Sequence, residues 1–155
     1  MAQQPDNDIA RFEAEESLLG AILIQSCAND RSVINQVSQI VEIIDFEGCF
    51  LKVNPFNWPV HARVFYAMLK CDNPPHEINT ASSMNTLGIL KIHDCVHLAH
   101  YVSICPCSLD YLDYAKAVRQ YSIKKQVKYY ADKGDFIKLN QLTRSPKYTG
   151  GVDGL

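Results

Sequence analysis

The sequence predicts an all-α fold. Apolar side chains recur at spacings of three and four in successive segments, the signature of amphipathic helices. No stretch alternates apolar and polar residues as a half-buried strand would. Prolines fall between the apolar stripes or at their starts, where a helix tolerates them.

The first helix is predicted from "FEAEESLLGAIL", where Ala14, Leu18 and Ile22 repeat every four residues, as do Leu19 and Leu23. Asp6 or Asp8 is the expected N-cap. Glu13, Glu15 and Glu16 fall in the first turns, where the helix dipole favours negative charge, and read as an exposed helix start. Gly20 costs up to about 1 kcal/mol against alanine inside a helix, so it predicts a close helix crossing. A second stripe follows at Val33, Val37, Ile40, Val41 and Ile44. "DFEGCFLKVNPFNWP" is irregular, yet its Phe46, Phe50, Phe56 and Trp58 are too many for a solvated loop; several are expected to plug the core. Pro59 opens a helix that carries Val60, Val64, Phe65, Met68 and Leu69 inward. After the loop "CDNPPHEIN", a short helix is expected with Asn79 or Thr80 as its cap and Gly88 at its close. Leu109, Leu112, Ala115, Val118 and Ser122 mark a long helix ending near Gly134, and "DFIKLNQL" predicts a short one turning back. The tail "TRSPKYTGGVDGL" reads as linker.

The 155 residues suit one domain, and 47% hydrophobic with 21% charged residues is ordinary globular composition. A net charge of −2 offers no overall basic excess for nucleic acid, although one local patch could still bind it. The polar N-terminus carries no signal core, and no apolar run approaches the roughly 18 residues of a membrane span. A cytoplasmic protein with reduced thiols is the expectation, with Cys27, Cys49 and Cys71 as small buried hydrophobes.

The stretch "HDCVHLAHYVSICPC" concentrates ligating residues: His93, Cys95, His97, His100, Cys105 and Cys107. If 94–104 is helical, His93, His97 and His100 share a face, and with one cysteine they make a candidate zinc site. The spacing matches no zinc motif, and Val96, Leu98, Ala99, Tyr101 and Val102 already give that helix a packing role; no metal is therefore assigned. No GxxxxGK[ST], GxSxG or HExxH motif occurs, so no catalytic residue and no cofactor is assigned either. Tyr121, Tyr129 and Tyr130, interleaved with Lys124, Lys125 and Lys128, are the candidate partner-facing residues. The alternative, tyrosines in the core and lysines as a solvated face, stays open.

Four segments in order resemble the N-terminal domain of bacterial replicative DNA helicases, the DnaB family. "EAEESLLGAIL" is similar to its opening helix through Glu13, Ala14, Glu15, Leu18, Leu19, Gly20, Ala21, Ile22 and Leu23. "NPFNWPVHARVFYAM" resembles its Phe-bearing segment and H-x-R helix through His61, Arg63, Val64, Phe65 and Ala67. The region around Leu98 and Ala99, broken by Pro106, resembles its "YLA" helix, and Tyr114, Ala115, Val118 and Arg119 its "YA-x-x-V" helix. Three features depart from the pattern: a long stretch between Ile44 and Pro59, Lys124, Lys125 and Gln126 where arginines are usual, and a short second hairpin helix from Asp135.

The resemblance implies a compact helical bundle over about residues 8–104 and a helical hairpin over about 108–143. Together they make a domain of residues 1–143, with 144–155 as linker or tail. It implies self-association as a dimer or higher oligomer, docking of primase or a helicase loader, and DNA contact only through the whole helicase. Full-length members of the family are ATP-dependent DNA helicases whose motor is a separate domain, so this chain is expected to lack catalysis on its own. Thr149, Gly150 and Leu155 echo the entry to that motor, which suits an isolated domain of a longer helicase. The alternatives are a freestanding regulator derived from this domain and a small zinc-binding helical protein.

Overall fold

The computed structural model describes residues 3–27, 31–41 and 55–144, with side chains from 9 to 140. Within them lie seven α-helices and no strand. They are α1 (Gln3–Gln25), α2 (Ser32–Val41), α3 (Pro59–Lys70), α4 (Glu77–Thr86), α5 (Asp94–Ile104), α6 (Tyr111–Lys133) and α7 (Phe136–Arg144), with a 3-10 turn at Ser108–Asp110 before α6. Ile44, Phe46, Cys49, Phe50 and the tail beyond 144 lie outside the described residues.

The all-α expectation holds, and α1 is the axle of the bundle. It packs most extensively against α5 and α6, and also meets α3 and α2. Leu18, Leu19, Ile22 and Leu23 are essentially sealed from solvent. Each such burial stabilises by about 1.5–3 kcal/mol before entropic costs. The first helix starts earlier than expected, and Asp6 and Asp8 lie inside it rather than at its N-cap position. Gly20 marks the crossing of α1 over α5, since a Cβ there would stand 2.1 Å from the Tyr101 carbonyl oxygen and 3.0 Å from Cys105 Cβ. The two backbones meet where only glycine leaves room.

α2 buries Val33, Ile34, Val37 and Val41. α3 begins at Pro59 and buries His61, Val64, Phe65 and Met68, the spacing of one helical face. Leu69 is exposed, contrary to expectation, because it sits about 100° around the helix from the centre of that face. α4 starts two residues before the expected caps, and its N-cap is His76, whose Nδ1 accepts the Asn79 N–H at 3.3 Å. Asn79 and Thr80 instead donate to the Pro74 and Pro75 carbonyls, bracing the loop that enters the helix.

Gly88 and Gly134 close α4 and α6 at φ of 73° and 70°. In both, the N–H one residue past the glycine bonds back to the carbonyl five residues earlier, the Schellman arrangement. α6 buries Ala115, Val118 and Ser122 as expected, and also Ile123, Gln126 and Val127. Leu109 is 74% exposed and Leu112 faces outward, because the tighter 3-10 winding before α6 rotates these positions off the buried face. In α5 the buried residues are Asp94, Leu98 and Tyr101; Val96, 66% exposed, and Ala99 point away from the bundle. Cys27 is exposed and Cys71 buried, so the expectation of three buried thiols fails at Cys27.

Candidate functional site

The glutamates of α1 are not an exposed helix start. Glu15 is fully buried and Glu16 nearly so; of the three, Glu13 alone is exposed. Glu15 is the acceptor at the centre of a polar hub. Its Oε2 takes the Asn57 N–H at 2.7 Å and Arg11 Nε at 3.1 Å, while Oε1 takes His61 Nδ1 at 2.8 Å, with the Trp58 N–H at 3.5 Å. A carboxylate only accepts, so His61 carries its proton on Nδ1.

Local structure explains why a carboxylate belongs there. Trp58, the N-cap of α3, has no side-chain oxygen to offer, and Pro59 follows it. Glu15, forty-three residues away in sequence, supplies the missing acceptor and puts negative charge at the positive end of α3. Arg11 partners Glu15 and also donates to the Pro55 carbonyl at 3.1 Å. Lys125 of α6 donates to Asn57 Oδ1 at 2.8 Å. Residues 55–58 are thereby held from α1 on one side and from the hairpin on the other.

Aromatic rings seal the hub. Phe12 stands edge-on to Trp58 at 4.8 Å and lies 4.9 Å from the His61 ring, while Tyr101 meets His61 edge-on at 5.4 Å. His61 Nε2 is buried without a hydrogen-bond partner among the described residues and has these rings around it. The buried acid–imidazole pair joins α1 to α3.

A second polar clamp fixes the loop between α4 and α5. Arg63 holds Asp94 through both guanidinium nitrogens, at 2.5 and 3.2 Å, and donates to the Ile89 carbonyl at 3.2 Å. Asp94 also accepts the Lys91 N–H at 2.7 Å. Burial pushes the Asp94 carboxyl up, but the Arg63 and Lys91 hydrogen bonds and the Arg63 charge outweigh it and hold the group below its usual range. Burial, with the Glu16 charge, drives the Tyr101 phenol far above its ordinary value.

The histidines of "HDCVHLAHYVSICPC" are dispersed. His100 Nε2 lies 3.3 Å from Glu16 Oε2, linking α5 to α1. His97 Nδ1 is 3.7 Å from Asp94, too far for a hydrogen bond, and His93 is the exposed N-cap of α5. Cys105 is half-buried at the Gly20 crossing, and its thiol donates to the Ser17 carbonyl. Among the described residues no three His, Cys, Asp or Glu side chains converge as ligands would. A hollow of about 180 Å³ between the end of α3 and α4, lined by Lys70, Asp72, Asn79 and Ser83, is polar and small.

The candidate partner-facing residues divide. Tyr121, Lys124, Lys125 and Lys128 follow the i, i+3, i+4, i+7 spacing of one face of α6, with Tyr129 at its edge. The three lysines are exposed, as is Tyr129 at 51%, while Tyr121 is half-buried. Tyr130 turns toward α7, where Lys138 Nζ stands 5.3 Å over its ring. Sequence reasoning missed Glu15 and Arg11 as a hub, although their i, i+4 spacing and the recurrence of Glu15 and His61 in the quoted segments were the available signal.

No family model and no curated protein matches the sequence. Among solved structures, the crystal structure of the N-terminal domain of DnaB helicase from Mycobacterium tuberculosis is similar to this chain. The TM-score is 0.59 at 20% identity, and the match covers 86% of this chain and 96% of that one. The chain therefore has the helical fold of that domain.

Proposed function

We propose that the chain acts as a non-catalytic N-terminal domain of a DnaB-like replicative helicase, assembling subunits and docking primase or a helicase loader during DNA replication. The observation that carries this reading is a coincidence of two kinds of likeness. The fold matches a DnaB N-terminal domain over nearly its whole length. The residues of the quoted segments are the ones this fold uses: Glu15 and His61 form the hub, Gly20 the crossing and Arg63 the loop clamp. In this reading the motor that hydrolyses ATP is a different domain, and DNA translocation belongs to the whole helicase. The exposed end of the α6–α7 hairpin, with Phe136 67% and Ile137 75% exposed, is the surface for pairing with a second copy.

Sedimentation of the chain alone, and with the C-terminal domain of the cognate primase, tests the proposal. The expected result is a dimer or larger species that co-sediments with the primase domain. A monomer at every concentration that ignores the primase domain overturns it.

A further inference from the structure

Cys105 and Cys107 flank Pro106 in the non-helical joint between α5, which ends at Ile104, and the 3-10 turn that begins at Ser108. This joint links the bundle to the hairpin. Both thiols are free; Cys107 is exposed and Cys105 half-buried. The hairpin end proposed to pair with a second copy lies beyond the 23 residues of α6, roughly 35 Å away, so pairing leaves the joint open.

The two residues have different surroundings and touch each other. The Cys105 thiol donates to the Ser17 carbonyl at 3.6 Å, beside the Gly20 crossing. A thiol is a weak donor, so this contact holds the sulfur lightly. The Cys107 N–H is shared between the Cys105 sulfur and the Tyr114 hydroxyl, the latter at 3.2 Å. Burial pushes the Cys105 thiol up despite that N–H, so it stays protonated while Cys107 faces solvent. Cα atoms two residues apart span at most roughly 7 Å even in an extended chain, and the bend at Pro106 shortens this toward the roughly 4.4–6.8 Å that a disulfide bridges.

We propose that Cys105 and Cys107 form a reversible dithiol site that reacts with small disulfides and closes into an intramolecular bridge at this joint. The exposed Cys107 gives up its proton, and its thiolate attacks one sulfur of the small disulfide. That S–S bond breaks, one half leaves as a thiol with the proton, and a mixed disulfide remains on Cys107. The Cys105 sulfur then attacks the Cys107 sulfur, and the second half leaves as a thiol with the Cys105 proton. The protein loses two electrons and two protons, and one small disulfide becomes two thiols. Turning the Cys105 sulfur toward Cys107 gives up the weak Ser17 contact, while its Cβ stays at the crossing. An accessible attacking thiol with a second thiol to resolve it is the arrangement that makes oxidation reversible; a lone exposed cysteine stops at the mixed disulfide. The inference needs only the joint, not the helicase reading.

Incubation of the reduced full chain with oxidised glutathione, then acid quenching, alkylation of the remaining thiols and peptide mass mapping, tests it. The expected product has lost two hydrogens and links Cys105 to Cys107, and dithiothreitol restores both thiols. Cys105→Ser should halt the reaction at a glutathione adduct on Cys107. Cys107→Ser should abolish the bridge and leave Cys105 open to alkylation. Circular dichroism of each variant separates loss of reaction from loss of fold, and the product of the parent chain decides the matter if a variant unfolds. A glutathione adduct that persists on Cys107 with Cys105 present, a bridge from either residue to another cysteine, or both thiols still free after Cys27 and Cys95 have reacted overturns the proposal. Failure here leaves self-association and primase docking untouched, because sedimentation reads those separately.

Discussion

The crossing of α1 with α3 and α5 and the far end of the α6–α7 hairpin use similar side chains in opposite ways. At the crossing, charge and aromatic rings are inside: Arg11, Glu15 and His61 bond one another behind Phe12 and Tyr101. At the hairpin end they are outside: Lys128 and Lys133 stand in solvent beside Tyr129 and Phe136. A charged residue near an aromatic one is thus ambiguous until its burial is known. Desolvation makes a lost partner expensive in the first region and nearly free in the second.

The sharpest way to break this contrast is Glu15→Gln. It removes the countercharge of a buried Arg11 and one of the acceptors of α3, and is expected to cost about 3–5 kcal/mol in urea denaturation. A cost under 1 kcal/mol would show that the hub is not a closed network.

A pair of glycines sharpens the comparison at the next magnitude. Gly20→Ala drives a Cβ into the Tyr101 carbonyl and should cost at least about 1–3 kcal/mol through displaced helices. Gly134→Ala meets open space and should cost only about 1 kcal/mol, from its positive φ alone. Equal costs would deny that α1 and α5 touch backbone to backbone.

The last test is a dependence on pH. Asp94 has its folded pKa depressed, so its contribution is present above the unfolded value and lost as pH falls through the folded one. Thermal melts of Asp94→Asn should accordingly lose less stability than the parent as pH drops below about 4, and should be less stable than the parent near neutrality. Parallel acid limbs would place the Arg63 clamp in the solvated class with the hairpin lysines.

The helices were legible in the sequence because their signals are local. The stripe through Leu18, Leu19, Ile22 and Leu23, Pro59 at a helix start, and the stops at Gly88 and Gly134 each act within one or two turns. Boundaries slipped where a side chain had two local choices. Asn79 and Thr80 brace Pro74 and Pro75 instead of capping α4, leaving that role to His76. The site was less legible. Glu15 reads as a dipole-favoured surface glutamate when only its own helix is considered, and its donors at Asn57, Trp58 and His61 come from another segment.

By itself, then, the sequence determined that the chain would be helical, where most helices would begin and end, and that a close crossing had to occur at Gly20, because periodicity, proline and glycine act over short range. The tertiary structure alone decided which charges are inside. Burial depends on what distant segments place around a side chain, so Glu15 became the acceptor that joins α1 to α3 while Lys124 and Lys128 stayed in water.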